Sequence, residues 1–414
     1  MEALTYTPRL VDGLITSLLT ELSAVMIVGP RASGKTTTAA RHASTIVSLD
    51  RRAEAAAFHA DPDAALRGLE EPVLLDEWQA TPGILGAVKR SVDRDPRPGR
   101  YLITGSVRAD LEGETWPGTG RLVRVLMFGL TGREVLGDAT KPTFFQRLRD
   151  GGATNLSLPQ AKPDLRGYAE MALTGGFPEP ALRLSEANRQ RWFDSYVELL
   201  LTRDAEQLTE VRDPGRLRRY FETLALNTAG VVDHRTLYDA AGINRKTANA
   251  YDHLLQNLLI IELMQPWRHN RLSRLVHMAK RYVIDPALAA SVLRVDVNGV
   301  LRDGDLLGRL LDTYVAAQLR PEAVVDRSLP RLYHLRQQQG RHEVDLLAEL
   351  GADRVIGIEV KATSSPGPAD GRHLQWLRDA VGDRFVAGIV FHTGPGVYEL
   401  GHQVTAVPIC ALWG

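Results

Sequence analysis

"AVMIVGPRASGKTTTAARHA", Ala24–Ala43, is the stretch on which the fold turns. Its first part, Val25 to Val28, is short and wholly apolar, which predicts a buried strand of a parallel sheet. Gly29-Pro30-Arg31-Ala32-Ser33-Gly34-Lys35-Thr36 then fits the spacing G-x-x-x-x-G-K-[ST], and Thr37 opens an alanine-rich run that reads as a helix. Strand, glycine loop and helix in that order form a phosphate-binding loop. The glycines let the backbone turn its N–H groups inward around an anion, and the helix start adds partial positive charge. Lys35 is placed to reach the β- and γ-phosphates of ATP, and Thr36 to hold Mg2+.

Hydrolysis requires carboxylates beside that loop. "EPVLLDEWQ", Glu71–Gln79, supplies them: Val73, Leu74 and Leu75 predict a second buried strand ending in Asp76 and Glu77. Asp76 is expected to orient Mg2+, and Glu77 to act as the catalytic base on water. "RYLITGSV" predicts another central strand, with Thr104 and Ser106 at the end where a γ-phosphate sensor sits. "GTGRLVRV" offers Arg121 and Arg124 as phosphate-sensing arginines, with Arg121 preferred.

Beyond Glu134 the pattern changes. Residues 137–164 are rich in Gly, Pro and polar residues and read as a linker region. Trp192, Tyr196, Leu199 and Leu200 are spaced for the buried face of a helix. From Val231 the chain reads as a helix-turn-helix: Arg235 to Ala241, a turn at Gly242, then a helix capped by Asn244 and running to Leu258. A strand from Ile260 to Met264 follows, and then a segment carrying Arg268, Arg271, Arg274, Lys280 and Arg281, read as a hairpin wing. Residues 231–280 hold seven Lys/Arg against four Asp/Glu, a net charge of +3. With Arg245, Lys246 and Asn249 on the exposed side of the second helix, this predicts contacts to double-stranded DNA, the wing touching phosphates. A helix-turn-helix packed on protein has the same pattern.

The C-terminal part holds three strands joined by short turns: Arg331 to Arg336, Arg341 to Leu350 and Arg354 to Thr363. Alternation puts Glu343 and Asp345 on one strand face, and Glu359 and Lys361 on one face of the next. Neighbouring strands would bring Asp345, Glu359 and Lys361 together. Two carboxylates suit Mg2+, and a lysine can activate water or stabilise a phosphorane. These are the metal and catalytic residues of a metal-dependent nuclease site, although a solvated strand face shows the same alternation. Asp312, in "LLGRLLDTYVAAQLR", is a further carboxylate.

The order of "GPRASGKTT", "LLDEWQ", "LITGS", "GTGR", "TGGFPEP", "LTRD", the helix-turn-helix, "KRYVIDPALA", "HEVDLLAE" and "IEVKAT" resembles bacterial and archaeal AAA-superfamily ATPases that carry a C-terminal domain of unknown function. The resemblance spans nearly the whole chain. It implies an α/β fold class: a P-loop NTPase core with a parallel sheet over 1–135, a helical region over 136–230, a winged helix over 231–280, and a restriction-endonuclease-like PD-(D/E)XK domain over 281–414. It implies ATP and Mg2+ as cofactors, with Lys35, Thr36, Asp76 and Glu77 on matching positions. Two departures stand out. Asp312 stands where the family commonly has Glu, and Gly118-Thr119-Gly120-Arg121 keeps the family's arginine but not the small residue before glycine.

Composition sets the frame. A chain of 414 residues implies roughly two to four domains. Lys plus Arg equals Asp plus Glu at 50 each, so nucleic-acid binding must come from a local patch. One cysteine, Cys410, allows no intrachain disulfide; with no signal-peptide pattern at the start, the expected location is cytoplasmic. No apolar run is long enough for a bilayer, so no membrane partner is expected. A homo-oligomer or a protein partner is compatible with all of this.

Overall fold

The computed structural model describes residues 6–106, 120–204, 213–267, 278–337 and 341–414. The chain forms two compact units: residues 1–129 with 257–259, and residues 130–256 with 260–414.

The first unit is built on a five-stranded parallel sheet. Its strands are β1 (Ala24–Val28), β2 (Thr45–Ser48), β3 (Val73–Asp76), β4 (Tyr101–Gly105) and β5 (Val123–Leu126), in the order β2-β3-β4-β1-β5. Every residue of β1, β3 and β4 is buried, as central strands covered on both faces must be. The edge strands β2 and β5 keep exposed positions. The helix Ile84–Arg94 turns Ile84, Leu85, Ala87, Val88 and Val92 into the same core as β1, β3 and β4, the three-and-four spacing of one helical face. With β4 between β1 and β3, the ends of all three strands sit side by side.

In the second unit, residues expected as a linker are packed. Thr143 caps the helix Phe144–Gly151, whose Phe144, Phe145 and Leu148 are buried. Phe144 N–H donates to Glu322 at 3.0 Å. The polar, Gly-rich flanks hid one apolar turn. Arg133 makes a two-pronged ion pair with Glu322 at 2.7 and 2.8 Å, both side chains at most 4% exposed. Removing one partner of a buried pair strands the other charge, so Arg133→Met should lower stability by about 3–5 kcal/mol in a denaturant titration; a loss near zero would mean water already reaches Glu322.

The helix Glu186–Leu199 buries Phe193 and Val197, with Leu200 following, while Leu199 is 53% exposed. The expected face is therefore rotated by one residue. Trp192 and Tyr196 lie on its flank, stacked at 5.1 Å, against Phe177.

The helix Pro214–Leu226 buries Leu217, Tyr220, Phe221, Leu224 and Ala225. The helix His234–Ala240 is followed by Gly242 at φ +64, and Asn244 then accepts from Thr247 N–H at 2.9 Å to start the helix Arg245–Asn257. An antiparallel pair follows, β6 (Ile261–Met264) with β7 (Lys280–Val283). The last sheet has the order β12-β13-β11-β10-β9-β8, from β8 (Arg331–Arg336), β9 (Glu343–Leu350), β10 (Arg354–Val360), β11 (Phe385–His392), β12 (Tyr398–Gly401) and β13 (Val404–Pro408). β9 runs antiparallel to both β8 and β10, and β11 lies parallel to both β10 and β13. The helix Arg372–Val381 packs Leu374, Leu377 and Val381 into a core with Val344 and Val355. The 22-residue helix Gly304–Val325 buries Leu310, Leu311, Asp312 and Thr313.

Candidate functional site

The loop after β1 is shaped by its two glycines. A Cβ at Gly29 would lie 2.0 Å from Met127 O, so only glycine allows this close backbone approach. Gly34 holds φ +93 as the chain enters the helix Lys35–Ala40, and no side chain caps that helix. Ser33 is fully buried, and its Oγ is a buried polar atom with no hydrogen-bond partner. Arg9, 5% exposed, ties the loop to the strand ends by donating to Ser33 O at 2.9 Å and Phe128 O at 2.7 Å. Lys35 is 4% exposed, and its Nζ donates to Pro30 O at 2.9 Å. Burial lowers its pKa to about 8, against the opposing pull of Glu77 and Asp76.

The carboxylates meet this loop across the sheet. Thr36 Oγ1 donates to Asp76 Oδ1 at 2.7 Å. Thr104 Oγ1 donates to the same oxygen, and it accepts from Glu77 N–H at 3.3 Å. Thr104 thus fixes the two acids. Ser106 and Gln79 both hydrogen-bond Glu77 Oε2. Glu77 itself adopts φ +54, an uncommon conformation for a residue with a Cβ. A hydroxyl next to a carboxylate, facing a buried lysine, is a donor set that fits Mg2+ with a polyphosphate. Thr36 and Asp76 are the residues that would hold the ion.

Arg121 lies elsewhere. It precedes β5 and donates to Asp93 Oδ1 at 2.7 Å. Because β5 runs parallel to β1, its start lies at the opposite end of the sheet from the loop, so Arg121 is not at the loop as expected. Arg124 is exposed on the edge strand.

In the second unit, Arg245, Lys246 and Asn249 are exposed on the helix Arg245–Asn257, opposite its buried Ala248, Tyr251 and Leu255. Arg268, Arg271 and Arg274 lie outside the described residues. Two other cations of the expected wing point inward. Arg281 turns to Asp252 Oδ2 at 3.4 Å, beside Tyr220 and His234 on the same carboxyl group. Lys280 is 2% exposed and enters the carboxylate centre of the last sheet.

That centre does bring Asp345, Glu359 and Lys361 together, with Asp312 from the helix Gly304–Val325. Lys361, one residue past β10, donates through Nζ to Glu359 Oε2 at 2.9 Å, consistent with the extended-chain alternation that puts both on one face. Asp345 Oδ2 accepts from Val360 N–H at 3.0 Å. Lys280 Nζ donates to Asp312 Oδ2 at 2.6 Å, to Asp345 O at 3.1 Å and to Asp345 Oδ1 at 3.4 Å. Tyr282 O–H donates to Asp312 Oδ1 at 3.0 Å. Burial, with Asp345 nearby, pushes the Glu359 carboxyl well above its ordinary value. Burial pushes Asp312 up to about 6 while Lys280 pulls the other way. For Asp345, burial is outweighed by Lys280 and Lys361, which hold it below the usual range. With an ammonium group among the carboxylates, this arrangement does not fit a divalent ion, and among the described residues no group of three or more His, Cys, Asp or Glu is set to hold a metal.

Sequence reasoning missed Arg9, Gln79, Tyr282 and the role of Lys280. Arg9 and Lys280 act on residues far along the chain, so local pattern carries no signal for them.

Residues 22–136 match the family described as an AAA domain, which together with this geometry supports a nucleotide-binding ATPase. Residues 165–298 and 307–412 match two domains of unknown function, DUF8612 and DUF4143. The chain is 28% identical over 389 residues to the uncharacterized proteins Mb2031c of Mycobacterium bovis and Rv2008c of Mycobacterium tuberculosis, covering 93% of this chain and 79% of each relative. Among solved structures it is similar to the Walker-type ATPase PABY2304 of Pyrococcus abyssi, at 15% identity and TM-score 0.40, covering 69% of this chain and 94% of that one. Among the described residues no helix is long and apolar enough to cross a membrane.

Proposed function

We propose that the chain is a Mg2+-dependent ATPase whose nucleotide is held by Gly29–Thr37, and whose second unit binds double-stranded DNA. The observation that carries the first part is the contact of Thr36 with Asp76 beside the buried Lys35. Mg2+, when bound with the nucleotide, supplies charge neutralisation at the phosphates. Lys35 adds a point charge there, Asp76 and Thr104 keep Thr36 in place, and Glu77 accepts the proton of the attacking water. Phosphate release by the purified chain tests this: turnover with Mg2+ that stops in EDTA is expected, and turnover indifferent to EDTA counts against it.

The DNA reading is supported by the exposed Arg245, Lys246 and Asn249 on one helix face. Arg245→Gln with Lys246→Gln should weaken duplex binding for all sequences and lower the salt slope by roughly 0.9 per lost phosphate contact. An unchanged slope would assign this helix to protein packing instead.

A second reading has a specific observation behind it. Lys280 within the carboxylate centre favours an ATP-regulated switch whose nuclease-like domain is inactive and serves as a binding surface.

A further inference from the structure

The carboxylate centre of the last sheet already holds a cation, and it comes from outside that sheet. Lys280 belongs to β7, whose partner is β6. Its ammonium group reaches Asp312 Oδ2 and Asp345 Oδ1 together, while Tyr282, two residues along the same strand, takes Asp312 Oδ1. Both oxygens of Asp312 are thus engaged by β7. Asp345 is divided between Lys280 and Val360 N–H. Glu359, 3% exposed, gives Oε2 to Lys361 and keeps Oε1 buried without a hydrogen-bond partner.

A divalent ion and a lysine make the same demand on such a centre. Mg2+ or Mn2+ takes carboxylate oxygens directly, and an ammonium group takes them through hydrogen bonds. Both cannot occupy one position, because like charges in a poorly solvated pocket repel strongly. Lys280 cannot retreat to water without leaving Asp312 buried and unpaired, which is costly.

We propose that Lys280 is the resident cation of the Asp312, Asp345 and Glu359 carboxylates and excludes a divalent ion from them, so that the centre takes up no metal and cleaves no nucleic acid while Lys280 is in place. The unpartnered Glu359 Oε1 is the acceptor that a metal would complete once Lys280 is gone. This inference rests on the second unit alone, so a failure of the ATP reading leaves it intact.

The test is a Mn2+ titration of the full chain without nucleotide, followed by the electron paramagnetic resonance signal of free Mn2+. Wild type and Asp345→Asn should give the same isotherm. Lys280→Met should gain a Mn2+ site, tighter by roughly tenfold or more than anything Asp345-dependent in wild type, as expected for removal of a like charge at contact. That site should vanish in Lys280→Met combined with Asp345→Asn. A Mn2+ site in wild type that Asp345→Asn removes would overturn the proposal. So would a folded Lys280→Met, judged by circular dichroism, that gains none. If Lys280→Met does not fold, wild type still decides through cleavage: metal-dependent cutting of DNA that Glu359→Gln abolishes overturns the proposal, and no cutting supports it.

Discussion

Lys35→Ala should weaken ATP binding by about a hundredfold or more and remove measurable turnover, the scale of losing a charge-assisted contact to transferring phosphate in a buried site. The backbone N–H groups of the loop can orient a polyphosphate, but they carry no net charge to set against it. Lys35 is the buried cation of the loop, at 4% exposure, while Arg31, the loop's other cation, is half-buried. Lys35 Nζ donates to Pro30 O at 2.9 Å. Its pKa of about 8, lowered by burial, gives the prediction a pH signature. The binding form is the ammonium, fully present below about 8 and lost as pH rises through that value. ATP affinity should therefore fall above pH 8 in wild type, and that dependence should be absent in Lys35→Ala. Fluorescent-nucleotide titrations across pH measure both effects. Equal affinity in the two proteins would remove Lys35 from the site.

Glu77→Gln should behave differently: ATP stays bound while hydrolysis slows by roughly a hundredfold or more, the usual scale for loss of a general base. The two adjacent acids occupy distinct surroundings. Asp76 is 6% exposed and committed to the hydroxyls of Thr36 and Thr104. Glu77 is half-buried, turned out of the strand by its positive φ, and steered through Oε2 by Gln79 and Ser106. In the proposed function one holds the metal side and the other reaches water. Single-turnover hydrolysis, measured with binding, separates these roles. Lost affinity with intact turnover would mean that they are exchanged.

What could be read in advance follows from how local each determinant is. The phosphate loop is contiguous, so spacing alone revealed it, and the carboxylates were legible because a fully apolar strand must end where its polar residues begin. Asn244 as a helix cap and the shared face of Glu359 and Lys361 follow from short-range rules of the same kind. Lys280 was misplaced because basic residues close in sequence look like one patch. Its partners lie 32 and 65 residues further on, and only the tertiary fold turns it inward. Arg9 was invisible for the same reason, with one partner 119 residues away. Arg121 failed differently: its motif was present, but the start of a parallel strand lies at the wrong end of the sheet. Residues 144–151 looked like linker because their two phenylalanines are flanked by polar and glycine residues.

Equilibrium binding of a non-hydrolysable ATP analogue to the purified wild-type chain, with Mg2+ and then with EDTA, tests the central claim most directly. Saturable binding that weakens when the metal is withdrawn is the result expected if Thr36 and Asp76 hold the ion against the phosphates. No saturable binding with Mg2+, or binding of equal strength in EDTA, would contradict it.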